Sequence, residues 1–138
     1  MRKIDLKELI EILIKEHELI LKGLKEVENK INENKLEEAL KILEEIFQIL
    51  KIHILDEEST LMKEIYKKAN QEEISQVVEI FSMHRKIYYT IESFVSKKKI
   101  KKEALKEIMS IVEDHTKKEH EKVYSLISPS NNPNGLYV

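Results

Sequence analysis

Residues 36–61 read LEEALKILEEIFQILKIHILDEESTL. Leu36, Leu40, Leu43, Phe47, Leu50, Ile54, Glu57 and Leu61 recur at alternating steps of four and three, the period of one face of an α-helix. No glycine or proline interrupts the run. Its apolar face carries a carboxylate, Glu57, with His53 beside it.

The same period appears in three more segments. The first runs through Leu6, Ile10, Leu13, His17, Ile20, Leu24, Val27 and Ile31. The third runs through Ile74, Val77, Phe81, His84, Tyr88, Ile91 and Val95. The fourth runs through Leu105, Ile108, Val112, His115, Glu119 and Leu126, with Val123 beside the stripe. Such stripes are the inward seams of long helices packed side by side. Capping-box-like pairs mark three starts: Asp5 with Glu8, Asn34 with Glu37, and Asn70 with Glu73. The fourth helix begins between Ser96 and Lys102, after the basic run of residues 97–102, which opposes the helix dipole and reads mostly as loop. That run is a solvated turn in the plainer reading and a dock for an acidic partner in the other.

Short connections make neighbouring helices antiparallel. The expected fold is all-α, an antiparallel up-down-up-down four-helix bundle over residues 1–128. A non-helical tail, residues 129–138, follows, and Leu136, Tyr137 and Val138 are its candidates for packing back.

Composition excludes much else. The chain has 138 residues, 36% of them charged, with two glycines and two prolines. A β-rich fold needs more turn residues than that. The net charge of −2 points to no nucleic-acid partner. The lack of cysteine rules out disulfides, zinc fingers, iron–sulfur ligation and thiol catalysis. Lys and Glu interrupt every apolar stretch, so no membrane span is expected. The start, Met1-Arg2-Lys3-Ile4-Asp5, is unlike a signal peptide. A soluble cytoplasmic protein is the expectation.

The chemistry lies on the stripes. His17, His53, His84 and His115 fall on or beside the inward faces, one per helix. Each is near mid-helix, on the order of 20 Å from its start at 1.5 Å per residue. In an up-down bundle such positions meet at one level. Two helices repeat a His-x-x-x-Glu unit, His53 with Glu57 and His115 with Glu119, and residues four apart share a helix face. A single inward histidine is ordinarily a hydrogen-bonded core residue, and a single such unit a local ion pair. Six together in a core cost several kcal/mol unless paired or coordinated, and a metal centre offsets that cost.

Imidazole and carboxylate without thiolate suit iron, manganese or zinc. Six ligands exceed a tetrahedral zinc site. Two glutamates able to bridge two metals point to a dinuclear site. The ferritin-like Glu-x-x-His spacing fails, because Ile14, Leu50, Phe81 and Val112 stand three before the histidines. The zinc-protease His-Glu-x-x-His fails at Leu21.

The ordered set of lone His17, His53-x-x-x-Glu57, lone His84 and His115-x-x-x-Glu119 resembles the hemerythrin-like, or HHE cation-binding, family across residues 5 to about 128. The resemblance implies a four-helix bundle holding a non-haem di-iron centre with a solvent-derived bridge. It implies His17 and His53 on one iron, His84 and His115 on the other, and Glu57 and Glu119 as carboxylate bridges. Members of the family bind oxygen reversibly, sense oxygen or iron, respond to nitric oxide, or help repair iron centres.

Departures from the oxygen carriers bear on the chemistry. Those proteins place a second histidine four residues along the third helix, where Ile80 and Tyr88 stand here. Their fourth-helix carboxylate is an aspartate five after its histidine; here Glu119 follows by four, and His120, next along, is expected to face outward or sideways. Both irons would then keep an open or water-filled position. Tyr88 is a candidate hydrogen-bond donor or phenolate ligand there, or else an aromatic core residue. Glu16, Glu18, Asp56, Glu58 and Asp114 adjoin the ligands and are candidates to orient imidazoles, with Glu58 also able to assist or replace Glu57. Phe47 and Phe81 are expected to shield the site. The function expected is binding or sensing of oxygen or nitric oxide rather than enzymatic turnover, with an unidentified protein partner for signalling. The alternatives are an oxygen- or peroxide-reactive or iron-donating protein and, further off, a metal-free interaction bundle.

Overall fold

The structure, a computed structural model, describes residues 5–127. Every regular element among them is helical. The first run is α1 (Leu6–Asn32). The second joins α2 (Leu36–Leu55), a π-helical turn (Asp56–Leu61) and α3 (Met62–Lys68). The third joins α4 (Gln71–Phe81) and α5 (Met83–Lys97), parted at Ser82. The fourth joins α6 (Lys102–Glu119), a second π-helical turn (His120–Tyr124) and α7 (Ser125–Ile127). α1 and α5 each pack on both α2 and α6, which closes a ring of four helices. The C-terminal tail with Leu136, Tyr137 and Val138 lies outside the described residues. No helix among the described residues is long and apolar enough to cross a membrane.

The helix ends follow local chemistry. Asn70 and Glu73 form a full capping box, each side chain bonded to the other's backbone amide. Asp5 caps α1 through the amide of Lys7. Asn34 does not cap α2, as its spacing to Glu37 suggested. Its φ of 61° places it in the left-handed region that asparagine tolerates. There it closes α1 in a Schellman pattern, with Asn34 N–H on the Ile31 carbonyl and Lys35 N–H on that of Lys30. The basic run is shared between elements: Lys97 ends α5, Lys98 takes the left-handed conformation, and Lys102 opens α6.

A serine side chain bonds back to the main chain at each π-helical turn. Ser59 Oγ donates to the Leu55 carbonyl at 2.6 Å, and Ser125 Oγ to that of Glu121 at 2.7 Å. Each hydroxyl shares a carbonyl four residues back with the helical ladder, a contact that weakens and bends helices. In the first turn the Met62 amide reaches the Glu57 carbonyl, five residues back.

The extra residue per turn slips the face. Beyond Glu119 the buried residues are Val123, Tyr124 and Ile127, and Leu126 is only half-buried. The second seam also lies one step from its expected phase over part of its length. Ala39, Leu43, Ile46, Leu50 and His53 are buried, while Leu36 is exposed and Phe47 and Ile54 are half-buried.

The apolar core is split in two. One cluster contains Leu24, Leu43, Ile91 and Ile108; the other contains Leu13, Leu61, Ile65, Val77 and Val123. A fully buried Leu or Ile contributes about 1.5–3 kcal/mol. Between the clusters lies a polar layer. On each helical run a histidine, with or without its glutamate, separates residues of the two clusters: His17 between Leu13 and Ile20, His84 between Phe81 and Ile87.

Candidate metal centre

All six candidate ligands meet in that layer. His17, His53, His84 and His115 are 3–5% exposed, and Glu57 and Glu119 are fully buried. Every imidazole turns Nε2 toward a carboxylate. His17 Nε2 is 2.8 Å from Glu119 Oε1, and His115 Nε2 is 2.9 Å from Glu119 Oε2. His84 Nε2 is 2.9 Å from Glu57 Oε1 and 3.2 Å from Glu119 Oε2. His53 Nε2 is 3.3 Å from Glu57 Oε2.

The donors fall into two overlapping groups. One is His17, His53, Glu57 and Glu119; the other is Glu57, His84, His115 and Glu119. Within each, one atom per residue lies within 4.8 Å of the others. That spread is close to what ligands show around one ion roughly 2.0–2.2 Å from each. Both glutamates belong to both groups.

The polar accounting favours an ion. His53 Nε2, His115 Nε2 and Glu57 Oε1 are buried and lack a hydrogen bond, although N–O distances near 3 Å surround them. Nitrogen and oxygen atoms that crowd together without aligning on one another are placed as donors to a third atom. Leaving such groups unsatisfied costs about 1–3 kcal/mol each. These residues therefore fit a metal ion, and the groups are able to hold one.

The outer nitrogens are mostly anchored. His53 Nδ1 donates to Glu16 Oε1 at 2.8 Å, and His84 Nδ1 donates to Glu58 Oε2. His17 Nδ1 shares a hydrogen bond of 3.2 Å with His120 Nε2. Such contacts fix which ring nitrogen faces the metal. His115 Nδ1, buried, has no hydrogen-bond partner. Glu58 thus serves His84 and does not replace Glu57. Asp114 pairs with Lys118 at 3.1 Å. His120 is exposed, as expected of a side chain facing outward or sideways, and it also reaches the site through His17.

The tyrosine at the centre is Tyr124, not Tyr88. Tyr88 is half-buried against Phe47 and Tyr89, because the third seam runs His84, Ile87, Ile91 and Phe94. Steps of three and four have two phases from His84, and the packing takes the one through Ile87. Phe47, lying on Tyr88, does not cover the site, whereas Phe81 stacks on His84 at 5.0 Å. Tyr124 is buried, stacks on His17, and donates to Glu57 Oε2 at 2.6 Å. Its signal in the sequence is a tyrosine five after Glu119, which a π-helical turn returns to the face of the ligands.

Electrostatics bind the layer together. Burial alone would lower the His53 pKa, but the nearby carboxylates of Glu119, Glu16 and Glu57 prevail and push it up to about 11. The same balance, with Glu119 and Glu57, takes His84 to about 10. Burial would raise Glu119, but the surrounding imidazoles of His115, His17, His53 and His84 hold it well below the usual carboxylate range. Neither a protein-family model, a curated protein nor a solved structure matches this chain.

Proposed function

We propose that the chain is a hemerythrin-like, up-down-up-down antiparallel bundle that holds two iron ions and binds or senses a diatomic ligand, oxygen or nitric oxide. The observation that carries this reading is the sharing of Glu57 and Glu119 by both donor groups, with two histidines left to each. Two subsites joined by two carboxylates suit a dinuclear centre. His17 and His53 would hold one ion, and His84 and His115 the other. Iron suits imidazole and carboxylate donors without thiolate, and when bound it would supply redox chemistry and coordination positions open to a diatomic molecule.

The chain's own residues do the rest. Glu16, Glu58 and His120 orient three imidazoles. Phe81 and the two apolar clusters keep bulk water from the layer. Tyr124 holds a proton at Oη, hydrogen-bonded to Glu57, since burial and the charges of Glu57 and Glu119 raise its pKa far above the ordinary phenol value.

Metal content per chain decides the matter, measured on untagged protein purified without added metal. About two irons per chain, followed by optical changes with oxygen or nitric oxide, are expected. Protein that carries no iron, and does not take up two on reconstitution, would sink the reading.

A further inference from the structure

A cleft of about 390 Å³ opens beside one half of the centre, between α4, the start of α5 and α6. Ile80, Met83 and Ile111 give it an apolar lining. Its charged residues are Glu79 and Asp114 against Lys118 and Lys122, two of each sign, and Asp114 and Lys118 already pair at 3.1 Å. Nothing there selects an ion. His115 forms part of its wall while only 5% exposed.

Two further observations single out this side. His115 is the one histidine of the four whose Nδ1 has no hydrogen-bond partner. A ring with one anchor fewer tilts at lower cost. The helical run is also broken here, at Ser82, whose hydroxyl bonds back to Glu79. The depression that touches Glu16, near the other half, is lined by α1 residues alone.

We propose that this cleft is the route by which a small neutral molecule of dioxygen size reaches the centre, arriving at the His84–His115 half first. The route stands on the cleft and on His115; the arrival at a metal subsite rests on the di-iron reading.

Dissolved oxygen under pressure tests the route without iron, read by methyl relaxation in zinc-reconstituted protein or, if it takes up no metal, in protein as purified. Ile80 and Met62 are equally exposed, at 9%. The Ile80 methyls should relax severalfold faster than that of Met62; equal rates overturn the proposal. Ser82→Trp, at an exposed lining position, should bring the Ile80 rate down to that of Met62. It should also slow nitric oxide uptake by the iron(II)-loaded protein about tenfold at unchanged iron content. Lys15→Trp, in the α1 depression, should change neither. Uptake that Ser82→Trp leaves unchanged, or that Lys15→Trp slows as much, overturns the proposal. Failure of the wild type to take up iron overturns the metal reading instead, and oxygen relaxation still decides the route.

Discussion

The Tyr124 hydroxyl donates to Glu57 Oε2 over 2.6 Å and stands 3.4 Å from His17 Nε2, so one phenol joins three of the helical runs at the centre. A hydrogen bond to a charged group contributes about 1.5–3 kcal/mol. Tyr124→Phe keeps the ring stacked on His17 and removes only the donor. The variant should lose about 2 kcal/mol in denaturant unfolding and still bind metal. A loss of less than a few tenths would mean that water replaces the phenol at Glu57.

How far the sequence reveals this site depends on helix geometry. His17, His84 and both His-x-x-x-Glu units were legible because side chains three and four apart must share a face, and the six do meet in one layer. Tyr124 was hidden because an α-helical period cannot show a π-helical turn. Tyr88 was misplaced by an ambiguity of phase: steps of three and four from His84 are equally helical, and only packing chose Ile87. Asn34 read as a helix start but serves as a helix end, since asparagine is favoured in both roles.

Replacing His53 and Glu57 together by leucine separates a metal centre from a structural polar layer. Buried ion pairs are often no more stabilising than well-packed apolar residues. The double variant should bind no metal, and should be at least as stable as metal-free wild type. Metal-loaded wild type should be the most stable of the three, because a ligand that binds only the folded state stabilises it. Thermal melts with and without a chelator report all three. A chelator that leaves the wild-type melting temperature unchanged removes the case for a centre.

The metal-free protein should lose stability with rising pH over a range in which the gain from metal loading rises. His53 and His84 have folded pKa values of about 11 and about 10, above the ordinary 6.5. Their stabilisation is complete below 6.5 and lost as pH rises through the folded values. Glu119, held below 4.5, contributes above that value and loses its contribution as pH falls. Metal-free stability should therefore peak between these limits and decline above pH 6.5. Metal binding needs deprotonated imidazoles, so the gain on loading should rise across the same range. Parallel melts at several pH values check both slopes, and a flat metal-free curve above pH 6.5 contradicts the first.

Glu16 and Glu58 act on metal only through imidazole rings, His53 for one and His84 for the other. Partners of this kind typically contribute about 10–100-fold in metal affinity. Glu16→Gln and Glu58→Gln should each weaken binding of cobalt(II) by that order while the far-ultraviolet dichroism stays helical. Glu18→Gln, whose side chain is exposed, serves as the control. Equal affinities in all three variants would show that the rings are held by packing alone.

Gly23 tests the packing of α1 on α2 away from the metal. A Cβ placed there would meet Ile46 Cδ1 at 2.6 Å and Cγ1 at 2.7 Å, and Ile46 is buried. Two effects oppose each other. Alanine gains about 1 kcal/mol over glycine in a helix interior. Forcing extra atoms into a packed core costs typically about 1–3 kcal/mol. Because Cγ1 as well as the chain end is too close, rotating Cδ1 away does not relieve the contact, and the second effect should win. Gly23→Ala should lower stability by about 1 kcal/mol without changing metal stoichiometry. Ile46→Val removes Cδ1 and opens part of the space, so the double variant should lose less than the sum of the two single losses. Strict additivity would show that the helices separate instead of Ile46 yielding.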